Sequence, residues 1–552
     1  MITDIKDSLF KAGILLIAWS AVTMLVTNIL FCAGVTVHLA TLIISFVIAA
    51  AGTAALLKWN IRETVLSSLV VVLAFTVMTF MGSLLFDISY DSNTMYKTAI
   101  ALMAKGWNPM RTHAKDAIDG YFGVHSSWNT AYTGKWISNY ANGTWLFQTY
   151  QYLITGKVNA GISFIWMYMC SALMISFRYL KRMGMASVPA FFAAVFLAFN
   201  PVTMAQSSTL YVDGPWMLML ALVLLMLIYL IINRYDLSDR EPWLILFLAF
   251  ITGSVMKLNA FAYSSVFLIV FYLFMLFDAR KELTRSAWLR ITCFCWLCAG
   301  ITVFGTGLSI YGRNIFWYGN LFYGFFGSGA EDIIASGQIV PGFTDIPAWK
   351  SFLLSMFAES SGSIHSNVVM KIPFTVKAEE IDAFFSPDVR VGGFGPWFSG
   401  IFIIAMILIA VYQRKLSGRY RTALLIFLGL SLLMACVLPG SYWLRYVAFI
   451  YFFVAIAYGL CTNRIIRIVF GILIAVNTAM CSYGSVRKML NTLMYRDHIR
   501  QVSELPSKNV YVAYTQTGGL FDLEDYGIDY QIVETEEEAD FICPTYLTRP
   551  VE

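Results

Sequence analysis

Long apolar runs separated by short polar connections are the feature that most constrains how this sequence folds. A helix needs roughly 20 mostly apolar residues to cross the hydrocarbon core of a bilayer. About 13 segments meet that requirement, and the pattern predicts an all-α polytopic membrane protein. The expected spans lie near 12–32, 36–57, 64–86, 160–180, 187–206, 211–233, 243–257, 259–277, 289–311, 396–412, 421–438, 443–461 and 466–483.

Composition excludes other classes of protein. Hydrophobic residues make up 59% and charged residues 13% of the 552 residues, whereas soluble domains are about 45–50% apolar and about 25% charged. The net charge of +5 is spread along the chain without a basic block, so a nucleic-acid partner is not expected. The nine cysteines lie mostly inside apolar runs and suggest neither a disulfide framework nor a zinc site.

Basic residues in the short connections predict the orientation. Cytoplasmic loops of membrane proteins carry an excess of Lys and Arg, and alternate spans place all the basic connections of this chain on one face. We therefore expect a multi-pass protein of the cell membrane with a cytoplasmic N-terminus and an outer C-terminus. The basic positions are Lys58, Arg62, Arg178, Lys181, Arg182, Arg234, Arg240, Arg280, Lys281, Arg285, Arg290, Arg414, Lys415, Arg419, Arg421, Arg464 and Arg467.

Two long polar segments, 87–159 and 312–395, fall on the outer face in this orientation. Both are rich in Trp, Tyr, Gly and Asn, and loops longer than about 15 residues in a compact protein are usually functional or disordered. Their aromatic content argues against disorder. We expect a transmembrane domain over 1–483 and a small outer α/β domain over 484–552, whose strand-like runs are NVYVAY, YQIVE and DFICP.

The first outer segment holds two acids where the third span emerges. Asp87 and Asp91 are four residues apart and precede a short helix expected over Tyr96–Lys105, lying in the membrane interface and ended by the Gly-Trp-Asn-Pro turn at 106–109. Carboxylates at the exit of a span are well placed to act on a substrate held in the bilayer. Acids at this position can also mark only the boundary between membrane and water, without a catalytic role. Both interpretations stay open.

The segment YDSNTMYKTAIALMAKGWNPM (90–110) resembles the first-loop signature of bacterial membrane glycosyltransferases of the GT-C superfamily. Further blocks in the order of that family follow over about 370 residues. They are 138–161, 197–217, TGSVMKLNAF (252–261), YGRNIFWYGNLFYGFFG (311–327), 371–398 and YWLRY (442–446). The two leading spans and the tail lie outside the resemblance, which implies a GT-C-like architecture.

The resemblance implies a reaction as well as a fold. Such enzymes move a sugar from a polyprenyl phosphate in the bilayer to an acceptor on the outer face, and an Asp of the first loop is the general base. Asp91 matches that position, with Asp87 second. One base suffices for an inverting attack on the anomeric carbon. Some members use a divalent ion and others only basic side chains, so no cofactor is certain; Mg²⁺ or Mn²⁺, if used, would bind at Asp87 and Asp91.

The departing phosphate needs positive charge nearby. Arg445 borders an apolar run at its outer end, and Tyr446 follows it in the same block. Lys257 stands at the outer tip of a tight helical hairpin, and Arg313 follows the ninth span. Each is a candidate phosphate or donor ligand, although a boundary arginine also snorkels to lipid headgroups without any catalytic role.

Other outer-face residues are candidates for contact with the acceptor or for the cavity wall. The resemblance implies that Asp213, which starts a span, lines the same cavity and holds an acceptor hydroxyl or a metal; the helix dipole also stabilises an acid at that position. Glu359 and His365 share a polar loop, and Trp107 could stack on a sugar or belong to the interfacial aromatic belt. Asp388 and Arg390, beside Gly392 and Gly393, are interpreted as architectural.

The expected function is a glycosyltransferase acting on a polyprenyl-phosphate sugar, with a surface polysaccharide, lipid or protein as acceptor and membrane lipids as further partners. Two alternatives stay open. A flippase or transporter of lipid-linked saccharides predicts short loops and ionisable residues in mid-span, and the sequence has large outer loops instead. A saccharide ligase or polymerase of similar topology would centre on an outer loop bearing Arg and His, such as that of His365 and Arg390.

Overall fold

The computed structural model describes residues 2–279, 282–327, 339–544 and 547–548. Ten helices within these residues are long and apolar enough to cross a membrane. The chain is therefore a helical multi-pass membrane protein, as its apolar runs predict. Arg280 and Lys281 of one basic connection, and 328–338 of the second outer segment, lie outside the described residues.

Three long helices open the chain, and four shorter ones form the first outer segment. The long helices are α1 (Ile2–Cys32), α2 (Leu39–Leu57) and α3 (Ile61–Ser83). The short helices are α4 (Lys97–Ala104), α5 (Ala114–Phe122), α6 (Thr130–Asn139) and α7 (Gly143–Thr155). Asn60 and Glu63 fix the start of α3, because each side chain accepts a hydrogen bond from the backbone N–H of the other.

The middle of the chain contains the most buried of the long apolar helices. Its helices are α8 (Ser163–Arg182), α9 (Ser187–Ala198), α10 (Pro201–Gln206), α11 (Asp213–Ile232), α12 (Arg240–Gly253), α13 (Leu258–Asp278), α14 (Arg285–Ile301) and α15 (Arg313–Tyr318). Helix α11 is the central one, since 89% of its apolar window is buried against 28% for α2 and for α3. An apolar helix that is buried all round lies inside a bundle, whereas α2 and α3 present their apolar side chains outward.

Seven more α-helices lie among the described residues of the last third of the chain. They are α16 (Ala348–Met356), α17 (Ala378–Asp382), α18 (Phe398–Tyr412), α19 (Gly418–Val437), α20 (Phe452–Leu460), α21 (Arg464–Glu504) and α22 (Gly518–Glu524). A 3₁₀ helix, Leu444–Tyr451, leads into α20 and is interrupted by non-helical dihedral angles at Val447.

Three of the expected spans are shorter than a full crossing. The runs at 187–206, 243–257 and 443–461 contain α9, α12 and α20, which have 12, 14 and 9 residues. The first run is broken at Asn200, whose side chain accepts from the N–H groups of Val202 and Thr203 and so starts the new helix α10 at Pro201. Apolar composition alone does not reveal such breaks, which is why the sequence predicts more spans.

Helix α21 passes through residue 484, where the sequence places the start of the outer domain, and continues to Glu504. Ser485, Lys488 and Thr492 are buried along it at helical spacing, with Ile499 and Val502 beyond them. The polar composition of this part suggested a tail, but one side of it packs against the protein and prolongs the helix.

A four-stranded sheet follows α21. The strands β1 (Asn509–Val512), β2 (Gln531–Ile532), β3 (Phe541–Cys543) and β4 (Leu547–Thr548) have the spatial order β2-β1-β3-β4. Strand β1 is parallel to both β2 and β3, and β3 is antiparallel to β4. The first three strands fall within the runs NVYVAY, YQIVE and DFICP, and α22 lies between β1 and β2.

The sheet and α22 dock on the first outer segment. Lys97 at the start of α4 forms a buried ion pair with Asp522 of α22, with 2.6 Å between Nζ and Oδ2. All residues from Lys97 to Met103 are buried. The helix expected over Tyr96–Lys105 is present as α4, but it is enclosed by the protein, with α22 packed against it, instead of lying free at the surface.

Candidate active site

Asp87 holds the turn that carries Asp91. Its carboxylate accepts hydrogen bonds from the backbone N–H of Ser89 at 2.9 Å, the Ser89 hydroxyl at 2.6 Å and the backbone N–H of Leu210 at 2.6 Å. The hydroxyl of Ser92 is a fourth donor. With its side chain buried and four donors in place, Asp87 ties the first outer segment to the chain before α11, and both of its oxygens are already hydrogen-bonded.

Asp91 lies directly before a π-helical turn, Ser92–Tyr96, that leads into α4. Its side chain is 21% exposed, and its Oδ2 lies 3.7 Å from an Nη atom of Arg445. Burial raises the pKa of the Asp91 carboxyl above its usual value, the guanidinium of Arg445 opposes that rise, and the carboxylates of Asp388 and Asp213 add to it. Asp91 is thus a carboxylate with a raised proton affinity that solvent can still reach.

Arg445 connects three carboxylates. Its Nη1 atom lies 2.9 Å from Oδ2 of Asp213, its Nε atom 3.0 Å from Oδ1 of Asp388, and its Nη2 atom 3.7 Å from Asp91. The ring of Trp443 lies 4.3 Å from the guanidinium carbon. A planar guanidinium with five donors suits such a position, and these contacts fix its orientation from several sides.

Asp213 and Lys257 form a second, fully buried ion pair next to Arg445. Asp213 is the first residue of α11, and Lys257 directly precedes α13. Gln206 donates a further hydrogen bond to Asp213 at 3.0 Å. The Nζ atom of Lys257 lies 4.1 Å from the centre of the Tyr446 ring, a cation–π contact that places Tyr446 beside the same group.

Asp388 and Arg390, interpreted from the sequence as architectural, belong to the same group of charges. Asp388 contacts Arg445, and 3.0 Å separates its Oδ2 from an Nη atom of Arg390. Arg390 also lies over the Trp443 ring at 3.8 Å. Both residues lie in the block 371–398 of the resemblance, and the ligase alternative names Arg390, but no motif within that block assigns either residue a place beside Arg445.

We call the six residues Asp91, Asp213, Asp388, Lys257, Arg390 and Arg445 the charged cluster. They come from segments far apart in the chain, and all lie at or outside the ends of helices rather than in mid-span. Three carboxylates face three cations, so the formal charges balance. Because water has little access to these side chains and each charge contacts an opposite charge, the side chains have well-defined orientations.

A cavity of about 490 Å³ opens beside the charged cluster. Its wall combines aromatic, polar and charged side chains from both outer segments, from α21 and from the C-terminal domain. They include Tyr90, Tyr211, Asp388, Arg390, Lys488 and Tyr514. Aromatic faces beside a few oriented polar groups are well suited to binding a saccharide.

Arg313 does not join the charged cluster. Its guanidinium is 1% exposed and donates to the backbone carbonyl of Pro109 at 3.2 Å and to that of Ser138. The sequence marks it as a phosphate ligand because it is an outer-face cation, but the structure places it between the Gly-Trp-Asn-Pro turn and α6. There it satisfies carbonyl groups that have no helical partner.

Three other candidates also lie apart from the charged cluster. Glu359 pairs with Lys377 at 2.5 Å on the second outer segment, and His365 is exposed on the same segment. Trp107 is buried and donates to the carbonyl of Thr112 at 3.2 Å, in the wall of a separate cavity. The ion pair of Glu359 and the hydrogen bond of Trp107 give these two residues local roles.

Within the described residues, no group of three or more His, Cys, Asp or Glu side chains is arranged to hold a metal ion. The oxygens of Asp87 accept from four donors. Arg445 stands among the carboxylates of Asp91, Asp213 and Asp388. Asp87 and Asp91 therefore do not fit the open oxygen-ligand set that Mg²⁺ or Mn²⁺ requires.

No protein-family model and no curated protein matches this chain. Among solved structures, it is similar to the oligosaccharyltransferase of Archaeoglobus fulgidus tethered with an acceptor peptide containing the NVT sequon. The TM-score is 0.41 and the sequence identity 11%, over 85% of this chain. The chain covers 64% of the length of that archaeal protein. A likeness at this level does not define a family.

Proposed function

We propose that this protein is a membrane glycosyltransferase that moves a sugar from a polyprenyl-phosphate donor to an acceptor at the outer face of the membrane. The acceptor is a saccharide, a lipid or a protein. One observation carries the proposal: Asp91, a partly exposed carboxylate of raised pKa, lies 3.7 Å from the Arg445 guanidinium, and its chain neighbour Tyr90 lines a cavity of about 490 Å³. A base beside a cation suits a reaction in which an acceptor hydroxyl loses its proton and an anion leaves.

The chemistry follows from these two groups. The acceptor hydroxyl attacks the anomeric carbon of the donor sugar, and its proton passes to the Asp91 carboxylate. A bond forms between that oxygen and the anomeric carbon, while the bond from the anomeric carbon to the phosphate oxygen breaks. The polyprenyl phosphate leaves with the electron pair. Attack from the side opposite the phosphate inverts the anomeric centre, and a single base is sufficient.

Arg445 and Lys257 would stabilise the charge that develops on the leaving phosphate. Asp213 contacts both cations, and Asp388 contacts Arg445 from another side. These two acids therefore act as positioning residues, since they orient the cations before the substrate arrives. Groups that are already oriented need no reorganisation during the reaction, and electrostatic stabilisation of the transition state is therefore most effective.

A saccharide ligase or polymerase of the same topology is a second candidate, favoured by the place of Arg390 in the charged cluster. That candidate needs no base in the first outer segment. The two differ in one measurable property: the glycosyltransferase depends on the carboxylate of Asp91, and the ligase does not. The position of the charged cluster at helix ends, rather than in mid-span, favours either enzyme over a transporter.

The test is release of polyprenyl phosphate from synthetic polyprenyl-phosphate sugars, measured with the full chain in membranes that contain native acceptors. Asp91→Asn should reduce the release by about 100-fold or more, as the loss of a general base does. Asp382→Asn is the matched control, because Asp382 is an exposed acid of the second outer segment, paired with Arg487 at 2.7 Å. Undiminished release by Asp91→Asn would exclude the proposed mechanism.

A further inference from the structure

Lys488 is a buried lysine in the wall of the cavity beside the charged cluster. Its side chain comes from α21, and the residue is 7% exposed. Among the residues that the structure describes, its Nζ atom has no hydrogen-bond partner. The centre of the Phe385 ring lies 5.9 Å from this Nζ atom. A buried ammonium group without a partner is costly, so a position of this kind calls for an explanation.

Asp87 is the acid whose charge acts on Lys488, but it does not neutralise the lysine by direct contact. Both Asp87 oxygens are taken by the four donors from Ser89, Ser92 and Leu210. The pair is therefore close enough for electrostatic attraction and yet lacks a hydrogen bond. The Lys488 ammonium keeps its three donors available to a further group.

The balance of charge points to the same lysine. The three cations of the charged cluster, Lys257, Arg390 and Arg445, face the three carboxylates of Asp91, Asp213 and Asp388. A phosphate that enters beside this neutral group brings negative charge that the cluster does not match. Lys488 lies outside the cluster but lines the same cavity as Asp388 and Arg390, where its protonated amine would supply the matching positive charge.

The depth of Lys488 suits a phosphate on a lipid. It lies 24 residues after the start of α21 at Arg464, which at 1.5 Å per residue is about 36 Å along the helix. The hydrocarbon core of a bilayer is about 30 Å thick. With Arg464 at the cytoplasmic face, Lys488 stands at the level of the outer headgroups. Earlier in the same helix, Ile465, Ile468 and Ile472 are exposed, as expected of a helix that faces lipid.

We propose that Lys488 is a phosphate ligand and that the cavity beside the charged cluster binds the phosphate group of a substrate. The inference rests on the proposed function, since a polyprenyl-phosphate sugar is the substrate that brings such a group to this depth. A phosphate on a soluble substrate has the same chemistry. In either case the ammonium of Lys488 donates to the phosphate oxygens, while Arg445 and Lys257 remain oriented by their carboxylates.

The experiment measures binding rather than transfer, so its result is independent of catalysis. The full chain, in lipid nanodiscs, is titrated with a polyprenyl phosphate, with the polyprenol of equal length and with inorganic phosphate. The variants are Lys488→Met and Lys488→Arg. Arg487→Met is the control, because Arg487 is the neighbouring exposed cation and pairs with Asp382 instead. Melting of each protein without added ligand is recorded alongside.

Lys488→Met should weaken the binding of polyprenyl phosphate by about 10- to 100-fold, the loss expected for a charge-assisted hydrogen bond. Lys488→Arg and Arg487→Met should bind it within about threefold of the parent, allowing for context dependence. Binding of the polyprenol should be unaffected by all three substitutions. Lys488→Met should melt no lower than the parent, because it removes a buried amine that has no hydrogen-bond partner among the described residues, and the Asp87 carboxylate keeps its four donors.

Three outcomes would overturn the inference. They are equal binding of polyprenyl phosphate by Lys488→Met and parent, an equal loss of polyprenol binding, and a lower melting temperature that accounts for the whole effect. Competition by inorganic phosphate, together with weak binding of polyprenyl phosphate, would keep Lys488 as a phosphate ligand and assign it to a soluble substrate. That last result would contradict the proposed donor without contradicting the role of Lys488.

Discussion

Lys97 and Asp522 form an ion pair across 425 residues of sequence, with 2.6 Å between Nζ and Oδ2 and side chains that are 0% and 3% exposed. Asn159 donates to the other oxygen of Asp522 at 2.7 Å. Lys97 follows directly after the π-helical turn that begins behind Asp91. The C-terminal domain therefore helps to hold Asp91, the candidate base, in place. The connection runs through Lys97, which contacts Asp522 and starts the helix that follows the Asp91 turn.

Asp522→Asn should release the C-terminal domain, because it leaves Lys97 buried without an opposite charge. Breaking a buried pair in this way costs about 3–5 kcal/mol. Hydrogen exchange should show lost amide protection in α22 and in the turn Ser92–Tyr96. The exposed acid Glu538 in the same domain provides the control Glu538→Gln. The double variant Lys97→Met, Asp522→Leu should regain protection, and unchanged protection in Asp522→Asn would disprove the coupling.

Gly518 tests the same contact by steric means. A Cβ atom at this position would lie 2.6 Å from the backbone oxygen of Asn93 and 2.9 Å from Cβ of Lys97. Gly518→Ala should therefore push α22 away from the turn, with a cost of about 1–3 kcal/mol, and should reduce turnover by displacing Asp91. Gly429→Ala in α19 is the control, since nothing lies within 4 Å of its Cβ position. Equal turnover in both variants would show that the turn tolerates the displacement.

The pH dependence of turnover should report on Asp91. A general base works in its ionised form, so activity is lost as the pH falls through its pKa. Because burial raises the pKa of Asp91 above the ordinary value of 3.8, the acid limb of kcat/KM should lie above that value. Asp388 raises this pKa further, so Asp388→Asn should move the acid limb to lower pH. A limb that stays in place or moves upward in Asp388→Asn would assign it to another group.

Arg445 and Lys257 should differ in how well the protein tolerates their loss. Arg445→Met leaves Asp388 with Arg390 and Asp213 with Lys257, and removes the cation that faces Asp91. Lys257→Met leaves Asp213 paired with Arg445 at 2.9 Å. We expect Arg445→Met to lose about 3–5 kcal/mol of unfolding free energy and Lys257→Met less than half of that. Denaturant unfolding of the full chain measures both, and an equal loss would contradict the central place of Arg445.

The sequence locates several members of the charged cluster because charge is scarce in this chain. Asp91, Asp213, Lys257 and Arg445 each stand out at the end of an apolar run, where a charged residue needs an explanation. The helical class of the fold follows from the same runs. What the sequence does not provide is the pairing among these residues, since Asp213 and Arg445 are 232 positions apart. Contacts of that separation depend on how the helices pack.

Arg313 and Lys488 show why the remaining assignments needed the structure. The sequence predicts Arg313 as an outer-face phosphate ligand, yet it binds the backbone carbonyls of Pro109 and Ser138. Lys488 lies in a polar stretch that the sequence places in the tail, and the sequence therefore predicts no functional role for it. Only the continuation of α21 to Glu504 brings it to the cavity. Position along a chain does not show whether a cation already has a partner.

The contact between Lys97 and Asp522 also sets an order of events during biosynthesis. A ribosome adds about 5–20 residues per second, so the 425 residues that separate the two side chains take about 20 to 85 seconds to make. Throughout that time the ammonium of Lys97, which ends up fully buried, lacks its counter-ion, and the turn next to Asp91 lacks the helix that supports it. Nascent chains that have reached the membrane but not yet Asp522 would therefore be inactive.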